Sequence, residues 1–287
     1  MPKTRKIFKN EVGDDVILDD LDIKLGEGLN GKVSLMELNG MKVAVKTVRP
    51  SLMGSNRKDS LEILKHEASI MKILKDDHVL KFYGLVHNEN EWSLIMEYAE
   101  NGTLQSRMAF PMTEEEMLKI LADIVEGIQY LHETQILHRD LKSDNIYFKN
   151  DGTAVIGDYG LAIRLGSPEE IFDHGSSGHF LRSAPEVIKS EPYGIKSDVY
   201  SFGILLAEII SEESAEEFEY TEDFCLDFEH FHKNFVKRTN DFTGILLQLV
   251  KCCTSLDPST RPTFIDIRRR LMEIESSTKL KENSVLI

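Results

Sequence analysis

Between Asp22 and Val48 apolar and polar residues alternate with a period of two, as they do along half-buried strands. Asp22-Ile23-Lys24-Leu25 and Lys32-Val33-Ser34-Leu35-Met36-Glu37-Leu38 read as two such strands. Asn39-Gly40 is a two-residue hairpin signal that leads into a third, over 42–48. The period then changes. Leu61, Leu64, Ala68, Met71 and Leu74 recur every three or four residues, which predicts a helix over about 59–75 with one apolar face. Residues 92–98 read as another strand. After Tyr98 the helical spacing takes over: Met117, Ile120, Leu121, Ile124, Val125, Ile128 and Leu131 mark a long amphipathic helix. Residues 199–210 are apolar on most faces, so they predict a helix at the centre of its unit, and 243–253 and 264–274 predict two more. The pattern therefore gives an α+β chain, with a strand-rich part and one main helix first and a mostly helical part after it. The polar ends, 1–15 and 276–287, show little periodicity and read as tails.

Composition changes this picture only by exclusion. At 287 residues the chain can bury a sizeable core. No apolar run approaches the roughly 18 residues that a membrane span requires. Met1-Pro2-Lys3-Thr4-Arg5-Lys6 has basic residues with no apolar run behind them, so no secretory signal is expected. Cys225, Cys252 and Cys253 are odd in number and form no C-x-x-C pair, which points to a reducing compartment and a cytoplasmic protein. A net charge of −15 argues against nucleic acid as a partner, because phosphate binding needs a basic face. Solubility alone is the bland explanation of such a surface.

The chemistry lies in a few short runs. His138-Arg139-Asp140-Leu141-Lys142-Ser143-Asp144-Asn145 is followed, thirteen residues after Asn145, by Asp158-Tyr159-Gly160. Asp140 can accept a proton from an attacking hydroxyl. Asn145 and Asp158 offer hard oxygen ligands of the kind magnesium takes. Gly26, Gly28, Gly31 and Val33 make the pattern G-x-G-x-x-G-x-V. Alone it is a weak signal, and in a dinucleotide fold it would open a helix. Here a strand follows it, which suits a hairpin lid over phosphates. Val43-Ala44-Val45-Lys46 then puts a lysine at the end of an apolar strand, where its charge needs a partner. Glu62 and Glu67 are both on the next helix, and Glu67 has the better spacing, since Met71 one turn on faces the core.

In this order, and closed by Ala184-Pro185-Glu186, the motifs resemble those of eukaryotic-type protein kinases over about 16–275. Ser197-Asp198-Val199-Tyr200-Ser201-Phe202-Gly203 and the run from Cys252 to Phe264 are most similar to the tyrosine-kinase-like group of serine/threonine kinases. The resemblance implies the two-lobed kinase fold, with an N-lobe over about 16–98 and a C-lobe over about 99–275. ATP would sit in the cleft behind a hinge at Glu97-Tyr98-Ala99. It implies ATP and Mg2+, a protein substrate, and transfer of the γ-phosphoryl group to serine or threonine. On that reading Asp140 is the base, Lys142 meets the γ-phosphate, and Lys46 with Glu67 positions the α and β phosphates. Gly26, Gly28 and Gly31 cover the phosphates. Met96 is the gatekeeper, Val33, Ala44 and Tyr147 sandwich adenine, and backbone groups of Glu97 and Ala99 hydrogen-bond it. Tyr147 is bulkier than the usual leucine. His138 and Tyr159 would pack with Met71 and Phe82, Asp198 would tie the catalytic loop, and Glu186 would pair with Arg261.

Arg139 would receive a phosphate on Ser167, Ser176 or Ser177, unless that serine-glycine loop goes unmodified. Two positions depart from the family: His179 replaces a threonine and Arg182 an aromatic residue. Residues 212–229 hold nine acids (212, 213, 216, 217, 219, 222, 223, 227 and 229) and no Lys or Arg, in place of the usual segment. With Asp144, this run suggests a basic substrate; a solvated acidic loop is the alternative. Lys142 favours a serine/threonine kinase. A tyrosine or dual-specificity kinase, and a nucleotide-binding pseudokinase acting as scaffold or switch, are the competing functions. Nothing in the sequence indicates an oligomeric state.

Overall fold

A computed structural model describes residues 4–28, 31–48, 57–167, 170–171, 179–236 and 240–285. Six strands come first: β1 (Thr4–Asn10), β2 (Asp15–Gly28), β3 (Gly31–Leu38), β4 (Met41–Val48), β5 (Phe82–His87) and β6 (Trp92–Glu97), with helix α1 (Arg57–Met71) between β4 and β5. They hydrogen-bond in the order β1-β2-β3-β4-β6-β5 and close on themselves where β1 meets β5 at Lys9↔His87 and Asn10↔Val86. The alternation along β4 is the key to the lobe. Val43 and Val45 point into the barrel and pack with Phe8, Leu18, Met36 and Ile95. Ala44 belongs instead to the larger core, with Leu94, Met96 and the α1 residues Leu64, Ala68 and Met71. Lys46, two positions on, shares the face of Ala44 because side chains in a strand repeat every second residue.

The polar ends were read as tails over 1–15 and 276–287, yet the described part of the first, from Thr4 on, is not one. Residues 4–10 form β1, which closes the barrel. Only Phe8 of that strand is buried, so period two has almost nothing to show. The outward positions Arg5 and Lys9 are instead held by cross-strand ion pairs, to Asp19 at 3.1 Å and to Asp15 at 2.7 Å, and Lys6, on the face of Phe8, pairs with Asp20 at 2.9 Å. The other end also differs. The last helix runs on through most of 276–287, since no proline or glycine lies between Ile274 and Val285 to stop it.

The second lobe contains α2 (Leu104–Arg107), α3 (Glu114–Glu133), α4 (Pro185–Ile188), α5 (Lys196–Ser211), α6 (Phe228–Phe235), α7 (Asp241–Cys253) and α8 (Phe264–Val285). Four short strands, β7 (Ile136–Leu137), β8 (Ile146–Phe148), β9 (Ala154–Ile156) and β10 (Ile163–Arg164), frame its upper edge. Here β8 pairs with β9 and β10 with β7. Helix α3 starts at Thr113, whose side chain accepts the Glu116 N–H, and three glutamates in its first turn suit the positive end of the helix dipole. Helix α5 is buried on nearly every side, as its composition requires. The acidic stretch after it folds into a 3-10 turn at Ala215–Glu217 and then α6, which Asp227 caps by accepting the His230 N–H. Helix α6 was not legible in the acid-rich sequence.

Candidate active site

Sheet pairing alone assembles the upper wall. Val33↔Lys46, Leu35↔Ala44 and Ala44↔Met96 are register partners, so Val33, Ala44, Lys46 and Met96 share one face. Gly31 passes close to β4. A Cβ on Gly31, which has φ +133°, would lie 2.6 Å from the Thr47 carbonyl oxygen, so only glycine fits there. Gly26 and Gly28 lie on β2, with Gly28 opposite Gly31. Leu29 and Asn30, between them, fall outside the described residues.

Lys46 and Glu67 meet as their spacing predicted. Lys46 Nζ donates to Glu67 Oε2 at 2.7 Å, and Asp158 Oδ1 lies 3.6 Å from the same nitrogen. Glu67 is 1 % exposed, so its charge survives only because it is paired. Burial works against the Lys46 ammonium, yet Glu67 and Asp158 outweigh it and keep the group protonated. Burial likewise pushes the Glu67 carboxyl up, and Lys46 opposes it. At Asp158 burial is overcome by Lys46 and by the Gly160 N–H, so the carboxyl stays below its ordinary value.

The lower wall is a loop in tension. Arg139 and Asp158 both have left-handed backbones, with φ 68° and 60°, a conformation that side chains other than glycine rarely adopt. Asp198 on α5 supplies the restraint. Its carboxylate accepts the backbone N–H groups of His138 at 2.9 Å and Arg139 at 3.0 Å, and bonds His132 Nε2 on α3 at 2.9 Å. Asp198 is fully buried, but the hydrogen bond and charge of His132, with help from His138, hold its carboxyl below the usual range. Beyond this anchor Asp140 Oδ2 accepts from Lys142 Nζ at 2.8 Å and from Asn145 Nδ2 at 3.0 Å. Asn145 Nδ2 also donates to the Asp140 carbonyl at 2.8 Å, which turns the amide oxygen away from Asp140.

That leaves the Asn145 side-chain oxygen and, beside Lys46, the Asp158 carboxylate as hard donors, and the Asn145 carbonyl accepts the N–H of Gly157, the residue before Asp158, at 2.9 Å. The two donors fit magnesium, which is held by one or two protein oxygens together with phosphate and water. Among the described residues no group of three or more His, Cys, Asp or Glu could hold a metal unaided.

Of the expected packing residues, His138 and Tyr159 are both fully buried and meet edge to face at 5.5 Å, while Met71 is buried in the same core and Phe82 is half-buried against it. Tyr159 uses its extra hydroxyl to donate to the Ile156 carbonyl at 2.8 Å. Tyr147 lies against Gly157, where an added Cβ would come within 2.9 Å of its ring. Burial, and then the Asp158 charge, push the Tyr147 phenol up to about 12, so it stays neutral and can donate a hydrogen bond. At the hinge the Glu97 N–H is already bonded to the Lys81 carbonyl at 2.9 Å. Arg139 lies over the Tyr193 ring at 5.7 Å, with Nη1 3.4 Å from the Leu161 carbonyl. Ser167 is described, whereas Ser176 and Ser177 lie outside the described residues.

The structure also gives both departures partners. Arg182 is buried and ion-paired to Glu208 of α5 at 2.6 Å and to Glu216 of the acidic turn at 3.0 Å. His179 bonds Arg182 at 3.2 Å and approaches Glu216 at 3.7 Å. An aromatic anchor has been replaced by an ionic one, and its acidic partners, 26 and 34 residues away, carried no sequence signal.

A family model for the protein kinase domain matches residues 20–271. The chain belongs to the protein kinase family. This kinase is similar to dual specificity testis-specific protein kinase 2 of Homo sapiens, at 34% identity over 92% of the chain and 46% of the relative. It resembles dual specificity testis-specific protein kinase 1 of Mus musculus at 31% identity, over 95% of the chain and 44% of that protein. A probable serine/threonine-protein kinase of Dictyostelium discoideum is 33% identical over 88% of the chain and 27% of the relative. The kinase thus spans about half or less of the length of the curated relatives it matches. With these affinities it is a eukaryotic-type kinase nearest the tyrosine-kinase-like group. Among the described residues no helix is long and apolar enough to cross a membrane.

Proposed function

We propose that this kinase transfers the γ-phosphoryl group of Mg-ATP to serine or threonine side chains of a protein substrate. One observation carries the reading: Lys46 is bonded to Glu67 and lies 3.6 Å from Asp158, the arrangement that phosphoryl transfer needs, and no member of the chemical set is missing. Lys46, steadied by Glu67, binds the α and β phosphates. The adenine ring lies between Val33 and Ala44 above and Tyr147 below, with Met96 behind it. Because the Glu97 N–H is engaged, adenine meets the Glu97 carbonyl and the Ala99 backbone. Asn145 and Asp158 would hold magnesium, which would supply positive charge to offset that of the phosphates. Asp140 aligns the substrate hydroxyl and takes its proton as the new P–O bond forms and the bond to ADP breaks. Lys142 offsets the charge that gathers on the γ-phosphoryl oxygens. The three cysteines, all free, support a reducing, cytoplasmic setting.

A dual-specificity kinase is the second reading. It is favoured by the relatives that carry that name and by His179 in place of threonine. Turnover with radiolabelled ATP followed by phosphoamino-acid analysis separates the readings: phosphoserine and phosphothreonine alone support the first, and added phosphotyrosine the second. No turnover at all points to a pseudokinase. The metal role has its own test. Asp158→Ala should lose most of the magnesium-dependent thermal stabilisation by ATP. Equal stabilisation of wild type with EDTA present would count against a magnesium site.

The substrate is proposed to be basic beside its acceptor. Asp144 is exposed, as are Glu217, Glu219 and Glu222 in the acidic stretch, whereas Glu216 is committed to Arg182 and Asp223 to Lys189. A field of this sign concentrates cationic peptides and is screened by salt. A peptide with arginine two and three residues before the serine should show a higher kcat/KM than its glutamate counterpart, and the advantage should fall with added salt. Asp144→Ala should erase most of the preference at the nearer position. Equal rates on both peptides at low ionic strength leave the acidic stretch with no role in recognition.

A further inference from the structure

Helix α1 is held to the sheet by Leu64, Ala68 and Met71, and apolar packing of this kind has no direction. Its rotation and height must be set by directed bonds. Three of its side chains reach the stretch that follows Asp158. Glu67, bonded to Lys46, lies near enough to the Tyr159 N–H for that dipole to favour its carboxylate. Ile63 lies so close to Gly160 that a Cβ there would be 3.3 Å from its Cγ2. The third is His66, whose Nε2 is 2.6 Å from the carbonyl oxygen of Ala162. A carbonyl oxygen has no proton to give, so Nε2 carries one and donates it, which fixes the tautomer.

The acceptor is placed where it matters. Ala162 is fully buried. The next two residues are β10, and Ile163 pairs with Leu137 of β7, the residue immediately before His138. A bond from α1 to Ala162 therefore ties the helix that carries Glu67 to the segment that carries Asp158 and, across one strand pair, to the loop that carries Asp140. None of the roles assigned above uses His66, and the residue is exposed rather than part of the buried core, so core packing does not account for it.

We propose that His66 is a positioning residue for phosphoryl transfer: its Nε2–H, bonded to the Ala162 carbonyl, sets α1 in the register that keeps Glu67 on Lys46. The proposal rests on the kinase reading. Its energetic scale is that of one hydrogen bond, so removing the donor depletes the competent arrangement by roughly two- to tenfold.

The test uses the full chain with His66→Ala and His66→Gln. Glutamine places an amide N–H at a similar distance from Cβ, so it restores the donor without the ring. Trp92, the single tryptophan, gives a readout that does not depend on turnover, because Lys65 on α1 lies over its ring at 5.0 Å. The expected result is that His66→Ala lowers kcat/KM for ATP by about two- to tenfold and shifts Trp92 emission. KM for the peptide and the melting temperature should stay unchanged, and His66→Gln should recover both signals. Wild-type kcat/KM in His66→Ala overturns the proposal, and so does a glutamine variant as impaired as the alanine one. If the wild type shows no turnover, the kinase reading fails separately. Trp92 emission then decides alone: a shift in alanine reversed in glutamine supports the contact, and no shift overturns it.

Discussion

Asp140→Asn is expected to lower phosphoryl transfer by roughly 10²–10⁴-fold, the usual contribution of a positioned base, while Mg-ATP affinity stays within about twofold of wild type. The substitution is close to isosteric. An asparagine oxygen can still accept from Lys142 and Asn145, which are 2.8 and 3.0 Å from Asp140 Oδ2, so the loop has no reason to collapse. Asp198 continues to hold the backbone of His138 and Arg139 from below. What disappears is the group that aligns the hydroxyl and takes its proton. Single-turnover rates and nucleotide titration on the same preparation separate the two effects. Turnover close to wild type, with binding intact, would remove Asp140 from the chemistry.

The parts of this site that were readable in advance are those in which chemistry is contiguous along the chain. Asp140, Lys142 and Asn145 fit within six residues because one loop must present them together, and the 3.0 Å contact between Asn145 and Asp140 follows from that proximity. Lys46 and Glu67 are 21 residues apart, yet a strand period and a helix period place each on an inward face, so their meeting could be anticipated. The failures have the opposite character. Strand β1 buries one side chain and holds its outer face with ion pairs, so polarity hid it. Arg182 read only as a departure from the family, because Glu208 and Glu216 are brought to it by the packing of α5 and the acidic turn, which no local pattern encodes. His66 gave no signal either, since its acceptor is a backbone carbonyl 96 residues away and every residue has one.

The largest effect on stability is expected at Arg261. Its guanidinium is fully buried and grips Glu186 through two bonds, of 2.6 and 2.8 Å. It also donates to the carbonyls of Ser255 at 2.8 Å and Lys196 at 3.0 Å and lies over the Tyr200 ring at 5.1 Å. Arg261→Ala leaves the Glu186 carboxylate buried without its cation, and removing one partner of such a pair typically costs about 3–5 kcal/mol. For a domain of this size that corresponds to a melting temperature lower by roughly 6–20 °C. The sign of the coupling is the sharper part of the prediction. In Arg261→Met with Glu186→Leu no charge is left stranded, so the double variant should melt above Arg261→Ala even though it has lost both members of the pair. Thermal unfolding of Arg261→Met, of Glu186→Leu and of the double variant beside wild type completes the cycle. An Arg261→Ala protein that melts within about 2 °C of wild type would mean that the pair adds little and that α4 is held in place by its apolar contacts alone.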